Sequence, residues 1–155
     1  MKTRTVALVL AAVFVAVAVC AAADDMNMGT WKLNEAKSKI AAGSGKNNTV
    51  VYAMDGDKVK VTVDGVDAKG NPTHSEWVGK YDGKDYPVTG DPDSDMRSYR
   101  RVNDHTVTIT QKKEGKTTSM IRVVVAPDGK SRTVTTTTTG EGGKKTISRS
   151  VYDKQ

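Results

Sequence analysis

The stretch "TVVYAMDGDKVKVTVDGV", Thr49 to Val66, decides how the rest of the chain is read. Two runs rich in Val and Thr meet at Asp55, Gly56 and Asp57, and the second run alternates Lys with Val from Lys58 onward. A period of two places successive side chains on opposite faces, as in a strand with one wall buried and one wet. Asp-Gly accepts the positive φ of a tight connection, so the two runs form a β-hairpin.

The same pattern repeats along the sequence. After the turn "DAKGNP" comes "THSEWVGKY" (73–81), and beyond an Asp-rich stretch come "RSYRRV" (97–102), "HTVTITQKK" (105–113), "TTSMIRVVVA" (117–126), "SRTVTTTTT" (131–139) and "KKTISRSVY" (144–152). Every break between them carries Gly, Asn, Asp or Pro, residues that accept or pre-set turn geometry. With "GTWKLN" (29–34) and a short "YPV" (86–88), the count is about ten strands in sequence-adjacent order. Helical periodicity is confined to a turn at 34–38. The expected fold is all-β: an antiparallel up-and-down barrel of about 8–10 strands, since closing a meander removes its exposed edges.

The 155 residues begin with Lys2 and Arg4, an apolar run "VALVLAAVFVAVAVCAAA" from Val6 to Ala23, and then Asp24 and Asp25. A short positive region, an apolar core and a small-residue end read as a secretory signal peptide over residues 1–23, cleaved after Ala23, with a single barrel domain over 24–155. An uncleaved membrane anchor is the weaker reading, because no basic cluster follows the run. Lipidation at Cys20 is a second alternative, disfavoured by Val19, where a lipoprotein signal places a small residue. Cys20 is the sole cysteine, so the domain folds without disulfides, which suits a periplasmic or secreted bacterial protein.

Removing Lys2 and Arg4 leaves 22 basic residues against 18 acidic ones, a net charge of about +4 spread along the chain. Lys112/Lys113 and Lys144/Lys145 lack the interleaved aromatics of a single-strand binder, so no nucleic-acid partner is expected.

Two stretches carry a family likeness. "MGTWKLN" (28–34) resembles the opening strand of lipocalins and fatty-acid-binding proteins through Gly29 and Trp31, and "SVYDKQ" (150–155) resembles the last strand of the fatty-acid-binding proteins. "YDGKDYPVTG" (81–90) also resembles a block in uncharacterised bacterial secreted proteins. The first resemblance implies a lipocalin-like, or calycin, barrel. It implies a ligand-facing role for Tyr152, with the companion Arg position falling on Ser150, and a structural cation over Trp31, for which Arg149 is the expected residue.

Further cations compete for the interior. Arg122 shares a face with Met120 and Val124, while Ile121, Val123 and Val125 occupy the other, and either face is apolar enough to be internal. If it points inward, Arg122 is an anion anchor; a solvent-facing Arg is the more ordinary outcome. Tyr99 and Arg101 share one face of their strand and are the remaining ligand-binding candidates. Asp91, Asp93 and Asp95 have the spacing of the first EF-hand ligands, but Met96 stands where Gly is required and Val102 where a bidentate Glu belongs. Turns bracketing a short strand explain "YDGKD" and "TGDPDSD" better than a Ca²⁺ site.

No nucleophile elbow, phosphate loop or dinucleotide fingerprint is present, and His74 and His105 are isolated in sequence. The expectation is a non-enzymatic barrel, without cofactor or metal, that binds a small apolar or amphipathic ligand. The alternative is a structural or interaction protein of the cell envelope whose barrel is filled by its own side chains, as a domain with seven aromatics after residue 23 allows.

Overall fold

The computed structural model describes residues 25–155; the expected signal peptide, its cleavage point and Cys20 lie outside the described residues. Ten strands follow one another: β1 (Gly29–Leu33), β2 (Lys46–Asp55), β3 (Lys58–Val66), β4 (Pro72–Gly79), β5 (Asp82–Thr89), β6 (Met96–Asn103), β7 (Thr106–Lys113), β8 (Lys116–Val125), β9 (Ser131–Thr139) and β10 (Lys145–Lys154). Each pairs antiparallel with its neighbour in sequence, and β1 closes the ring against β10 in the register Leu33 to Tyr152. This is an all-β, up-and-down closed barrel of ten strands, consistent with a calycin-like fold. Among the described residues no helix is long and apolar enough to cross a membrane.

Alternation sets the wall. Val59, Val61 and Val63 point inward from β3 while Lys58, Lys60 and Thr62 point out, as the opening hairpin requires. The only helical pieces among the described residues are single 3₁₀ turns, at Glu35–Lys37 and Glu141–Gly143; in the first, the Asn34 side chain accepts from the Lys37 amide.

The stretch "YDGKD" departs from expectation. It is not a free turn but the first half of β5, where the register to β6 shifts between Asp82 and Asp85. Gly83 has φ +78°, and the Asp82 carboxylate accepts from the Lys84 amide at 3.0 Å. An Asx turn buried in a strand is a β-bulge, and its sequence signal is the same as that of a chain reversal.

Candidate functional site

Trp31 has no exposed surface and its indole Nε1 donates to the Asn27 carbonyl at 2.7 Å, so residues 25–28 are folded under one end of the barrel. The turns after β2, β4, β6 and β8 lie at this end, and it is closed. At its centre lies Arg132, the second residue of β9, with 2 % exposure. Its guanidinium stands 4.7 Å from the Trp31 ring centroid, 5.0 Å from Tyr52 and 5.1 Å from Tyr152, its register partner on β10. Lys154 Nζ lies 5.3 Å from the Trp31 ring. Arg132 and Lys154, not Arg149, are therefore the cations over the tryptophan, and Arg132 is the buried one. Arg149 points outward because Tyr152 fills the barrel, and one residue of offset inverts the face.

Above this floor the barrel encloses a cavity of about 710 Å³ that opens at the opposite end. Val50, Val61, Val63, Ile109, Val123 and Val134 line its middle with Ser75 and Ser150 level with them, and Ser119, Thr136, Thr138 and Ser148 stand nearer the mouth. The cavity is thus apolar in the middle, hydroxylic toward the mouth and cationic at the floor.

Two buried guanidinium groups line it, and their states differ. Arg97 on β6 is paired with Asp91, whose carboxylate also accepts from the Ser94 hydroxyl at 2.6 Å. Burial pushes the Asp91 carboxyl up, but the Ser94 hydrogen bond and the Arg97 charge outweigh it and hold the group below the usual carboxylate range. Arg132 has no carboxylate partner among the described residues, and its Nε and Nη1 are buried without a hydrogen-bond acceptor. Aromatic faces stabilise its charge, yet leave its in-plane donors unused. Burial pushes the Tyr99 phenol up, and likewise the Tyr152 phenol, to about 12, so both stay neutral beside the cation. The Tyr152 hydroxyl donates to the Asn47 carbonyl at 3.0 Å.

The other candidates fall into place around the cavity. Tyr99 and Tyr152 line it, as does neither Arg101 nor Arg122. Arg101 follows Tyr99 on the inward face but sits at the closed end, 5.2 Å from the Tyr81 ring and paired with Asp25 at 2.7 Å. Arg122 lies on the outer wall, since β8 buries Ser119, Val123 and Val125. Gly29 adopts φ +105° just before Trp31, a left-handed conformation suited to glycine. The acidic trio is dispersed: Asp91 holds Arg97, the Asp93 amide donates to Asp91 at 2.9 Å, and the Asp95 carboxylate accepts from the Glu114 amide at 2.8 Å. His74 faces solvent on β4 with Nδ1 2.6 Å from Asp64, and Glu76 beside it is paired with Lys60 at 2.9 Å.

Sequence reasoning missed Arg132 and Arg97. A signal for Arg132 was present: Val134 is the one apolar residue of "SRTVTTTTT", and the face it shares with Arg132 is the one a barrel turns inward. No protein-family model matches the chain, and no curated protein matches it.

Proposed function

We propose that the barrel binds a small amphipathic molecule carrying an anionic group, which enters head-first and meets Arg132 at the floor. The observation that carries this reading is a guanidinium that lines a cavity of about 710 Å³ while its Nε and Nη1 are buried without an acceptor. A buried donor without an acceptor costs about 1–3 kcal/mol, and a carboxylate, sulfate or phosphate oxygen recovers that loss by charge-assisted hydrogen bonding. The apolar waist takes the body of the molecule. On this reading the protein is an exported, non-enzymatic binding barrel, a single domain of residues 24–155 with the lipocalin-like affinity suggested by Gly29 and Trp31, periplasmic or secreted once the signal peptide is removed.

A second reading has an observation of its own. Trp77 packs on Tyr99 with centroids 4.0 Å apart, and Tyr81 and Tyr86 extend the cluster, so one side of the interior is filled by side chains as a purely structural barrel would be.

Titration with a fluorescent long-chain carboxylate and with the corresponding alcohol separates the two. The wild-type chain is expected to bind the carboxylate at unit stoichiometry and more tightly than the alcohol. Arg132→Met should lose about tenfold or more in carboxylate affinity and little for the alcohol. Absence of binding to either compound by the folded wild type would replace this reading with the structural one.

A further inference from the structure

The pairing registers assemble a second cationic feature, on the outside of the barrel and independent of the cavity. Arg100 on β6 is in register with Thr108 on β7, Thr108 with Arg122 on β8, Arg122 with Thr135 on β9, and Thr135 with Arg149 on β10. The row continues into Lys39, which pairs with Arg149 through an isolated bridge. All four cations are exposed, and none is in an ion pair among the described residues. The flanking rows, from Ser98 to Ile147 on one side and from Thr106 to Val151 on the other, contain no ionisable side chain. Nothing in those flanking rows neutralises it. Asp82, the register partner of Arg100 on β5, ends it.

We propose that this row is a binding track for a flexible anionic polysaccharide. Adjacent strands lie about 4.8 Å apart, so guanidinium groups on every second strand repeat at about 10 Å, close to the interval between charges in a chain carrying one carboxylate or sulfate per disaccharide. Each Arg offers a fork of donors to such a group, and the intervening Thr hydroxyls are placed for the neutral sugar between. The shape of the wall selects a flexible polymer over a flat bilayer. From Arg100 to Arg149 the row crosses four of the ten strand steps of a closed ring, an arc that a plane touches only in part. Composition selects a sugar chain over single-stranded nucleic acid, because the row and its flanks hold no aromatic side chain on which a base would stack.

Fluorescence anisotropy with a labelled hyaluronan decasaccharide, at about 50 mM salt, tests the track. Wild type should bind, with affinity falling as salt rises, and Arg122→Ser combined with Arg100→Ser and Arg149→Ser should weaken binding about tenfold or more. Because these side chains are exposed, circular dichroism of the triple variant should match wild type. A Lys144→Ser, Lys145→Ser variant, which removes two charges elsewhere, should retain wild-type affinity, and so should Arg132→Met. Three results would each overturn the proposal: no binding by wild type, an undiminished affinity in the triple variant, or tighter binding to an oligothymidylate or to phosphatidylglycerol vesicles than to the saccharide.

Discussion

Two arginines of the same interior show how a neighbour decides what a charge does. Arg97 has an acid within reach on the β5–β6 connection and becomes part of the frame, whereas Arg132 is stacked against three aromatic rings and keeps hydrogen-bonding capacity in reserve. The Asp91–Arg97 pair is largely out of solvent, with side-chain exposures of 12 % and 8 %, so removing one partner strands the other. Asp91→Asn is expected to cost about 3 kcal/mol in urea unfolding at neutral pH. The wild-type pH profile has a definite sign. The folded carboxyl titrates below its unfolded value of about 3.9, so its stabilisation is complete above that pH and is lost as pH falls through the lower folded value. Urea midpoints measured from pH 6 downward should therefore drop steeply below about pH 4 in wild type and less steeply in Asp91→Asn. Parallel profiles would show that the pair does not couple folding to pH.

The β2–β3 hairpin, clearest of the elements in sequence, also contains the tightest backbone approach. Gly65 faces Asn47 where the β2 register shifts, and a Cβ there would stand 2.1 Å from the Lys46 carbonyl oxygen. A backbone atom cannot swing aside as a side-chain tip does, so Gly65→Ala should lower stability by about 2 kcal/mol or more, read as a shift in the thermal or urea midpoint. A neutral result would mean that the bulge relaxes freely. Strands β3 and β9 run over the residues that the sequence assigns, because each is a β-favouring run set between clusters of turn residues, Asp55-Gly56-Asp57 and Asp67 to Pro72 around β3, Pro127 to Gly129 and Gly140 around β9. β5 was only half legible. Its Asp82-Gly83-Lys84 bulge is written in turn residues, and only pairing with β6 distinguishes a strand that kinks from a chain that reverses.

At the scale of the whole molecule, closure is carried by the shortest strand. β1 has five residues and joins β2 to β10, so the ring depends on the register from Trp31–Lys154 to Leu33–Tyr152. Deleting residues 150–155 should strip β1 of its β10 partner, leave Ser131–Val134 of β9 without one, and remove Tyr152 from the floor. The expected outcome is loss of a cooperative melting transition with aggregation, detected by calorimetry and light scattering. A soluble, cooperatively folding truncation would show that closure is dispensable.

Period-two alternation, turn residues at each break and the Gly29–Trp31 opening were sufficient to specify an antiparallel meander of about ten strands, since these are local properties of the backbone and of adjacent side chains. The face each strand turns inward was not local. In "SMIRVVVA" both faces are apolar, and only pairing between β7 and β9 sends Arg122 outside and Val123 inside. The same closure carries Arg132 beneath Trp31, about a hundred residues away in sequence, and aligns Arg100, Arg122 and Arg149 from three separate strands. Strand identity is set by neighbours along the chain. The choice between a buried charge and an exposed one is set by neighbours across the sheet, which exist only once the barrel closes.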